Sequence, residues 1–161
     1  MIFNQRSTQK VFPPRAPRAA LLIRLAIGFV FITEGFQKFL SPEIFGVGRF
    51  TRIGIPSPET MGPLVGVVEI AFGALVLIGL FTRLSSFVLA IDMVVAIIAT
   101  KIPILVGYGF WGFAAPAGQT GFWTMAHEAG VDIAMLLSCL FLVSAGPGPT
   151  SVDERMIPRL P

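Results

Sequence analysis

The chain has 161 residues, of which 54% are apolar and only 13% charged, with mean hydropathy +0.80 and a formal charge of +3. A soluble domain carries about 45–50% apolar and 25% charged residues, so too few charges remain here to coat a water-exposed globule, and lipid must cover much of the surface. The net positive charge comes from Arg and Lys outside the apolar runs, and only the Arg-rich N-terminus before the first run is placed to bind acidic partners, so a nucleic-acid binder is not expected; the single cysteine, Cys139, excludes an intrachain disulfide, a CxxC pair and a cysteine-held iron–sulfur cluster.

Residues 1–18 form a basic arm with Pro13-Pro14, expected to lie extended on the surface. Four apolar runs follow, at about 19–40, 62–82, 84–106 and 126–145. Each is long enough to cross a hydrocarbon core of about 30 Å, which takes roughly 20 helical residues. The first run carries Arg24, Glu34 and Lys38 and lacks a small-x-small cleavage site, so it stays in the membrane rather than serving as a cleaved signal. The fold expected is an all-α membrane protein, an antiparallel bundle of four transmembrane helices. Arg6, Lys10, Arg15, Arg18, Arg83, Arg155 and Arg159 fall on one side, and Arg49, Arg52 and Lys101 on the other, which places both termini in the cytoplasm.

Runs two and three are separated by little more than Arg83 and read as a tight hairpin. The external connection 41–61 contains Ile55-Pro56-Ser57-Pro58, which breaks any helix. The second, 107–125, packs Tyr108, Phe110, Trp111, Phe113, Phe122 and Trp123 between glycines. An aromatic belt at headgroup level is favoured there over a ring-stacking ligand pocket formed by Trp111 and Trp123. The tail, 146–161, reads as a second extended arm.

Inside the four runs lie Arg24, Glu34, Lys38, Glu69, Asp92, Lys101, Glu128 and Asp132. A mid-membrane charge costs roughly 2.5–3.5 kcal/mol on insertion scales, so such residues should face the bundle interior and pair with one another. At about 100° per residue, Arg24, Gly28, Phe31, Gly35 and Lys38 share one face of the first helix, with Phe29, Phe36 and Leu40 opposite. Gly62, Gly66, Glu69 and Gly73 share a face of the second, Ser85, Asp92, Ala96 and Ala99 of the third, and Glu128, Asp132, Met135 and Cys139 of the fourth. Glu34, Glu69 and Asp132 each lie roughly 5 Å outward of their helix midpoints and Asp92 close to its own, so the acids share a depth.

Lys38 is one turn from Glu34 and positioned to pair with it, while Arg24, Arg83 and Lys101 read as snorkelling to the membrane surfaces. Few bases face several acids in low dielectric, so one of them, Glu69 or Asp92, is expected to hold a proton. Two readings of the carboxylates stay open. They are structural ties between helices, or Glu69, Asp92 and Asp132 form a proton relay beside a quinone held by Glu34, Lys38, Glu69, Trp111 and Trp123. A cation site of Glu128, Asp132 and Glu69 is a weaker possibility, and no metal is expected. His127, the only histidine, cannot make a bis-histidine haem and suits an interfacial hydrogen bond. No GxGxxG, P-loop or Cys/His cluster is present, so any electrons come from elsewhere, through bound quinone or a partner subunit.

Arg24-Leu25 with Gly28, Phe31, Gly35 and Lys38 precedes Gly66-Val67-Val68-Glu69 with Gly73, Leu77, Gly79-Leu80 and Thr82-Arg83. Continuing through Glu128 to a Gly146-Pro147-Gly148-Pro149-Thr150-Ser151-Val152-Asp153 tail, the pattern resembles the DoxX family, whose usual ending is GPG-x-x-S-x-D. The resemblance implies a small four-helix protein of the bacterial inner membrane, similar also to the DoxD subunit of thiosulfate:quinone oxidoreductase and to DoxX subunits that assemble with soluble thiol and superoxide enzymes. It singles out Arg24, Lys38, Glu69 and Arg83. The chain has no thiol pair and its basic arm is longer than the motif needs, which speaks against direct thiosulfate oxidation by this chain. Three functions follow as expectations: a quinone-linked membrane subunit of a redox complex, a non-catalytic adapter in a larger assembly, and a small proton-coupled transporter.

Overall fold

The computed structural model describes residues 17–156. Expectations for the rest of the N-terminal arm and for Arg159 lie outside the described residues. Within them the chain is helical, with no strand beyond one isolated bridge between Phe110 and Phe113.

Helix α1 (Ala20–Leu40) runs from the end of the bundle where the described residues begin and end, here the terminal end, to the opposite loop end. Two short helices, α2 (Pro42–Phe45) and α3 (Val47–Ile53), fill the connection before the helix break expected at Ile55-Pro56-Ser57-Pro58. Helix α4 (Pro58–Ile78) returns, opening on Pro58, whose fixed φ and missing N–H suit a first helical position. It ends at Gly79, which takes a left-handed φ of 75° so that Leu80 N–H reaches Leu75 O and Gly79 N–H reaches Val76 O. The hairpin turn is therefore Gly79 to Phe81, and Arg83 lies already inside α5 (Thr82–Ala96) rather than at the turn.

From α5 the helix continues through a π-helical turn, Ile97–Lys101, into α6 (Ile102–Val106), making one span of 25 residues. Pro103 accounts for the widened turn. It has no N–H to offer, and its ring would collide with the carbonyl of Ala99 in a regular α-helix. The fourth segment is a bent pair, α7 (Phe122–Glu128) and α8 (Gly130–Ala145), meeting at 55°. The described chain thus has three unbroken helices long and apolar enough to cross a membrane, and a fourth span if the bent pair is counted as one. A last helix, α9 (Val152–Met156), lies at the terminal end.

Helix α1 packs chiefly on α4 and α5 on α8, with α4 against α5 joining the two pairs. The first pair depends on glycine. A Cβ at Gly35 would stand 2.8 Å from Gly66 O and 2.7 Å from Ile70 Cγ1, and one at Gly66 would meet the Phe39 ring at 2.7 Å. Only hydrogens let these backbones approach so closely. Arg24, Gly28, Phe31 and Gly35 are all buried, as the periodicity of α1 predicts, whereas Phe29 and Leu40 are 71% and 78% exposed. Ile27, Phe31, Val76, Leu89, Cys139 and Leu142 form the core between helices. Large apolar side chains such as Leu22, Phe29, Leu84 and Phe87 face outward, where lipid replaces water as solvent.

Candidate functional site

Two polar systems occupy the bundle, one at the terminal end and one inside it. The terminal system is built on Arg24, which is 2% exposed. Its Nε donates to Val76 O at 3.0 Å, Nη2 to Leu77 O at 2.8 Å and Nη1 to Pro147 O at 3.3 Å. Arg24 does not snorkel; it donates from inside the protein to the carbonyls at the end of α4, to Leu77 O and to Val76 O, which also accepts from the Gly79 N–H of the cap. Arg83, though exposed, likewise donates to Val143 O near the end of α8, at 3.0 Å.

The described part of the tail, residues 146–156, is not an extended arm. It folds back so that Asp153 accepts hydrogen bonds from Phe81 N–H (2.8 Å), Thr82 N–H (2.9 Å) and Thr82 Oγ (2.8 Å). Phe81 can offer no side-chain cap to α5, so the tail supplies the capping carboxylate. Ser151 is fully buried beside Gly79, where any Cβ would collide with it and with the Arg24 guanidinium. Sequence reasoning quoted these tail residues and missed their role; the available signal was an acidic residue with no local purpose and a helix start with no cap of its own.

The interior system draws on every long helix. Lys38 of α1 donates to Glu69 Oε2 of α4 at 2.5 Å, with the two side chains only 9% and 5% exposed. Lys38 therefore reaches across to the neighbouring helix instead of pairing with Glu34 one turn away, because the glycine contacts bring α4 within its reach. Asp92 of α5 lies within hydrogen-bonding reach of Glu69 and in electrostatic range of Lys38 and of Asp132 on α8. Glu34 lies in electrostatic range of Glu69.

From Asp132 the system continues to Lys101, whose Nζ is 3.4 Å from Asp132 Oδ2 and 3.9 Å from Glu128 Oε2. Lys101 is not snorkelling either. Its side chain is 8% exposed because the π-helical turn swings it inward. Helix periodicity alone could not show this, since a π turn shifts the register of everything after it. Beside Lys101 a cavity of about 530 Å³ opens at the loop end, lined also by Arg49, Arg52, Thr124 and Glu128.

The structure thus joins Lys38, Glu69, Asp92 and Asp132, with Glu34 close by, and adds Lys101. It does not bring Trp111 and Trp123 to them. Both indoles sit in the loop-end connection, 82% and 83% exposed, each edge-on to a neighbouring ring, Phe110 and Phe122 respectively. Nor does it gather Glu69 with Glu128 and Asp132, since Glu69 takes Lys38 and the other two take Lys101. His127 is exposed on α7.

The sequence profile of DoxX matches residues 19–102, which contain Arg24, Lys38, Glu69 and Asp92. The chain belongs to the DoxX family. Relatives of this DoxX protein span nearly its whole length. It is 46% identical to the uncharacterized membrane protein Rv3486 of Mycobacterium tuberculosis, over 95% of this chain and 90% of that one. It is 28% identical to the inner membrane protein YphA of Escherichia coli, over 92% and 99%. A Bacillus subtilis protein whose name reads "Putative oxidoreductase CatD" is 34% identical over 51% of this chain and 59% of its own. No solved structure matches the chain.

Proposed function

We propose that this DoxX protein is the membrane subunit of a redox complex of the bacterial inner membrane, with both termini cytoplasmic, in which interior carboxylates carry protons to and from a bound quinone. The observation that carries the reading is the series of ionisable side chains contributed by every long helix, in which Lys38 pairs with Glu69, Lys101 pairs with Asp132, and Asp92 lies in electrostatic range of both Lys38 and Asp132. Ionisable residues at membrane depth are expensive, and a series of them in electrostatic range of one another is the arrangement a proton path builds on. The name of the Bacillus subtilis relative points toward redox chemistry, and the chain itself offers no electron carrier. Reduction of a quinone takes two electrons and two protons; the electrons enter from a partner subunit.

In this scheme Lys38 and Glu34 flank the ligand, and Glu69 stands where it can hydrogen-bond a quinone carbonyl. Asp92 and Asp132 hand protons along the line toward Lys101. Protein purified from its own membrane should then carry extractable quinone, and Glu69→Gln should lower quinone binding while the bundle stays folded. Unchanged quinone binding in a folded Glu69→Gln protein overturns the proposal. Stoichiometric recovery of a larger assembly with no quinone, by contrast, would identify a non-catalytic adapter docking through its exposed aromatic connection.

A further inference from the structure

Arg49, on α3, lines the loop-end cavity and has no hydrogen bond or ion pair among the described residues. Arg52, one turn on, donates to Glu43 O at 2.9 Å and Ile44 O at 3.1 Å, which fixes its charge at the same rim. Lys101 forms part of the wall, buried. Against these three cations the cavity lining offers a single acid, Glu128, which is 54% exposed and 3.9 Å from Lys101, and Asp132, outside the lining, takes Lys101 at 3.4 Å, so the excess of positive charge rests on Arg49 and Arg52. The remaining wall is largely apolar, with Ile53 and Pro103 among its residues. A surplus of fixed positive charge in a partly apolar hollow is unfavourable when empty of anions, and a guanidinium with all its donors free matches the planar fork of an oxyanion.

The volume, about 530 Å³, falls in the range of ligand sites of ~300–1,000 Å³ and exceeds what a bare inorganic oxyanion needs. We infer that this cavity binds an organic oxyanion, its phosphate or carboxylate group held by Arg49 and Lys101 and its apolar body against Ile53 and Pro103. The ligand chemistry is available from two sources, an anionic lipid headgroup or a free organic acid. The inference does not depend on the quinone reading, because the cavity lies at the loop end and shares with the interior system only Lys101 and Glu128, neither of which is placed against the quinone.

The test uses the full chain in phosphatidylcholine nanodiscs, titrated calorimetrically with phenyl phosphate. Saturable binding is expected. Removing one charge-assisted hydrogen bond, in Arg49→Gln, should weaken it roughly ten-fold or more. Arg155→Gln makes the same charge change on α9 at the terminal end and should leave affinity unchanged. Glu128→Gln, at an exposed position that folding tolerates, should tighten binding and so gives a reading of opposite sign. Including phosphatidylglycerol in the discs separates the sources: competition that disappears in Arg49→Gln identifies the lipid headgroup, and undiminished phenyl phosphate affinity identifies free acids, both supporting the site. Absence of saturable binding, or equal weakening by Arg49→Gln and Arg155→Gln, overturns it.

Discussion

The pair formed by Lys38 and Glu69 allows packing and function to be separated in one set of variants. Its side chains are 9% and 5% exposed and its N···O distance is 2.5 Å, so each single replacement strands a buried charge. Breaking such a pair from one side costs about 3–5 kcal/mol, whereas removing both partners is often nearly neutral. Lys38→Met should therefore lower stability by about 3 kcal/mol, equivalent to a fall in Tm of roughly 6–12 °C for a chain of this size. Glu69→Gln should cost less, because Asp92 remains in electrostatic range of Lys38. The double variant Lys38→Met/Glu69→Gln should recover most of the loss, giving a coupling energy of about 1–3 kcal/mol. Thermal unfolding of the four proteins in nanodiscs measures the cycle, and quinone binding is read on the same samples. The decisive expectation is a double variant that is stable yet does not bind quinone. Additive losses with no coupling would refute the direct pairing, and a stable double variant that binds quinone like the parent would refute its place in the ligand site.

Other expectations follow from the terminal end and the π-helical turn. Asp153→Ala removes the acceptor for three donors at the start of α5 and should cost about 1–2 kcal/mol, seen as a lower Tm and as faster proteolysis of the tail. An unchanged Tm would show that the tail does not cap the helix. Pro103→Ala restores the missing N–H and lets the π turn relax to α, which turns Lys101 away from Asp132 by about 100°. Lys101 should then become reactive to a water-soluble acylating reagent from which it is protected in the parent. Gly35→Val places a branched side chain where even a Cβ stands 2.8 Å from Gly66 O, and should separate α1 from α4 and destabilise the bundle by several times the effect of Gly130→Ala, where no neighbour lies within 4 Å.

Much of the architecture is legible in the sequence because lipid imposes a simple rule. Charged and small residues turn inward, and the period of 3.6 then shows which face of α1 is buried, from Arg24 to Lys38. Glycines at 28, 35, 66 and 73 mark the close contact before any helix is placed. Partner choice is another matter. Helical spacing shows Glu34 beside Lys38, yet the shorter path runs across the glycine seam to Glu69, and only the relative placement of α1 and α4 decides between them. Lys101 was misplaced for a local reason, since Pro103 changes the helix register one turn before itself. The tail was misread because Gly-Pro-Gly-Pro has no period, so nothing in the local pattern reveals that Asp153 caps a helix 72 residues earlier at Phe81.

The two polar systems differ in a way that bears on function. At the terminal end Arg24 is answered by three backbone carbonyls and Asp153 by three donors around Phe81 and Thr82. That arrangement is complete as a structural clasp and leaves no group free to react. The interior run is unbalanced. Lys38 and Lys101 face Glu34, Glu69, Asp92, Asp132 and Glu128, so acids outnumber bases and no arrangement of ion pairs uses them all. Helices can be tied together at lower cost by hydroxyls, carbonyls and small-residue contacts, all of which this chain already uses. Carboxyls in excess of what packing requires, in electrostatic range of one another across helices, are groups suited to take up and release protons without the bundle coming apart. That surplus, more than the presence of charge in the membrane, is what the proposed proton path rests on.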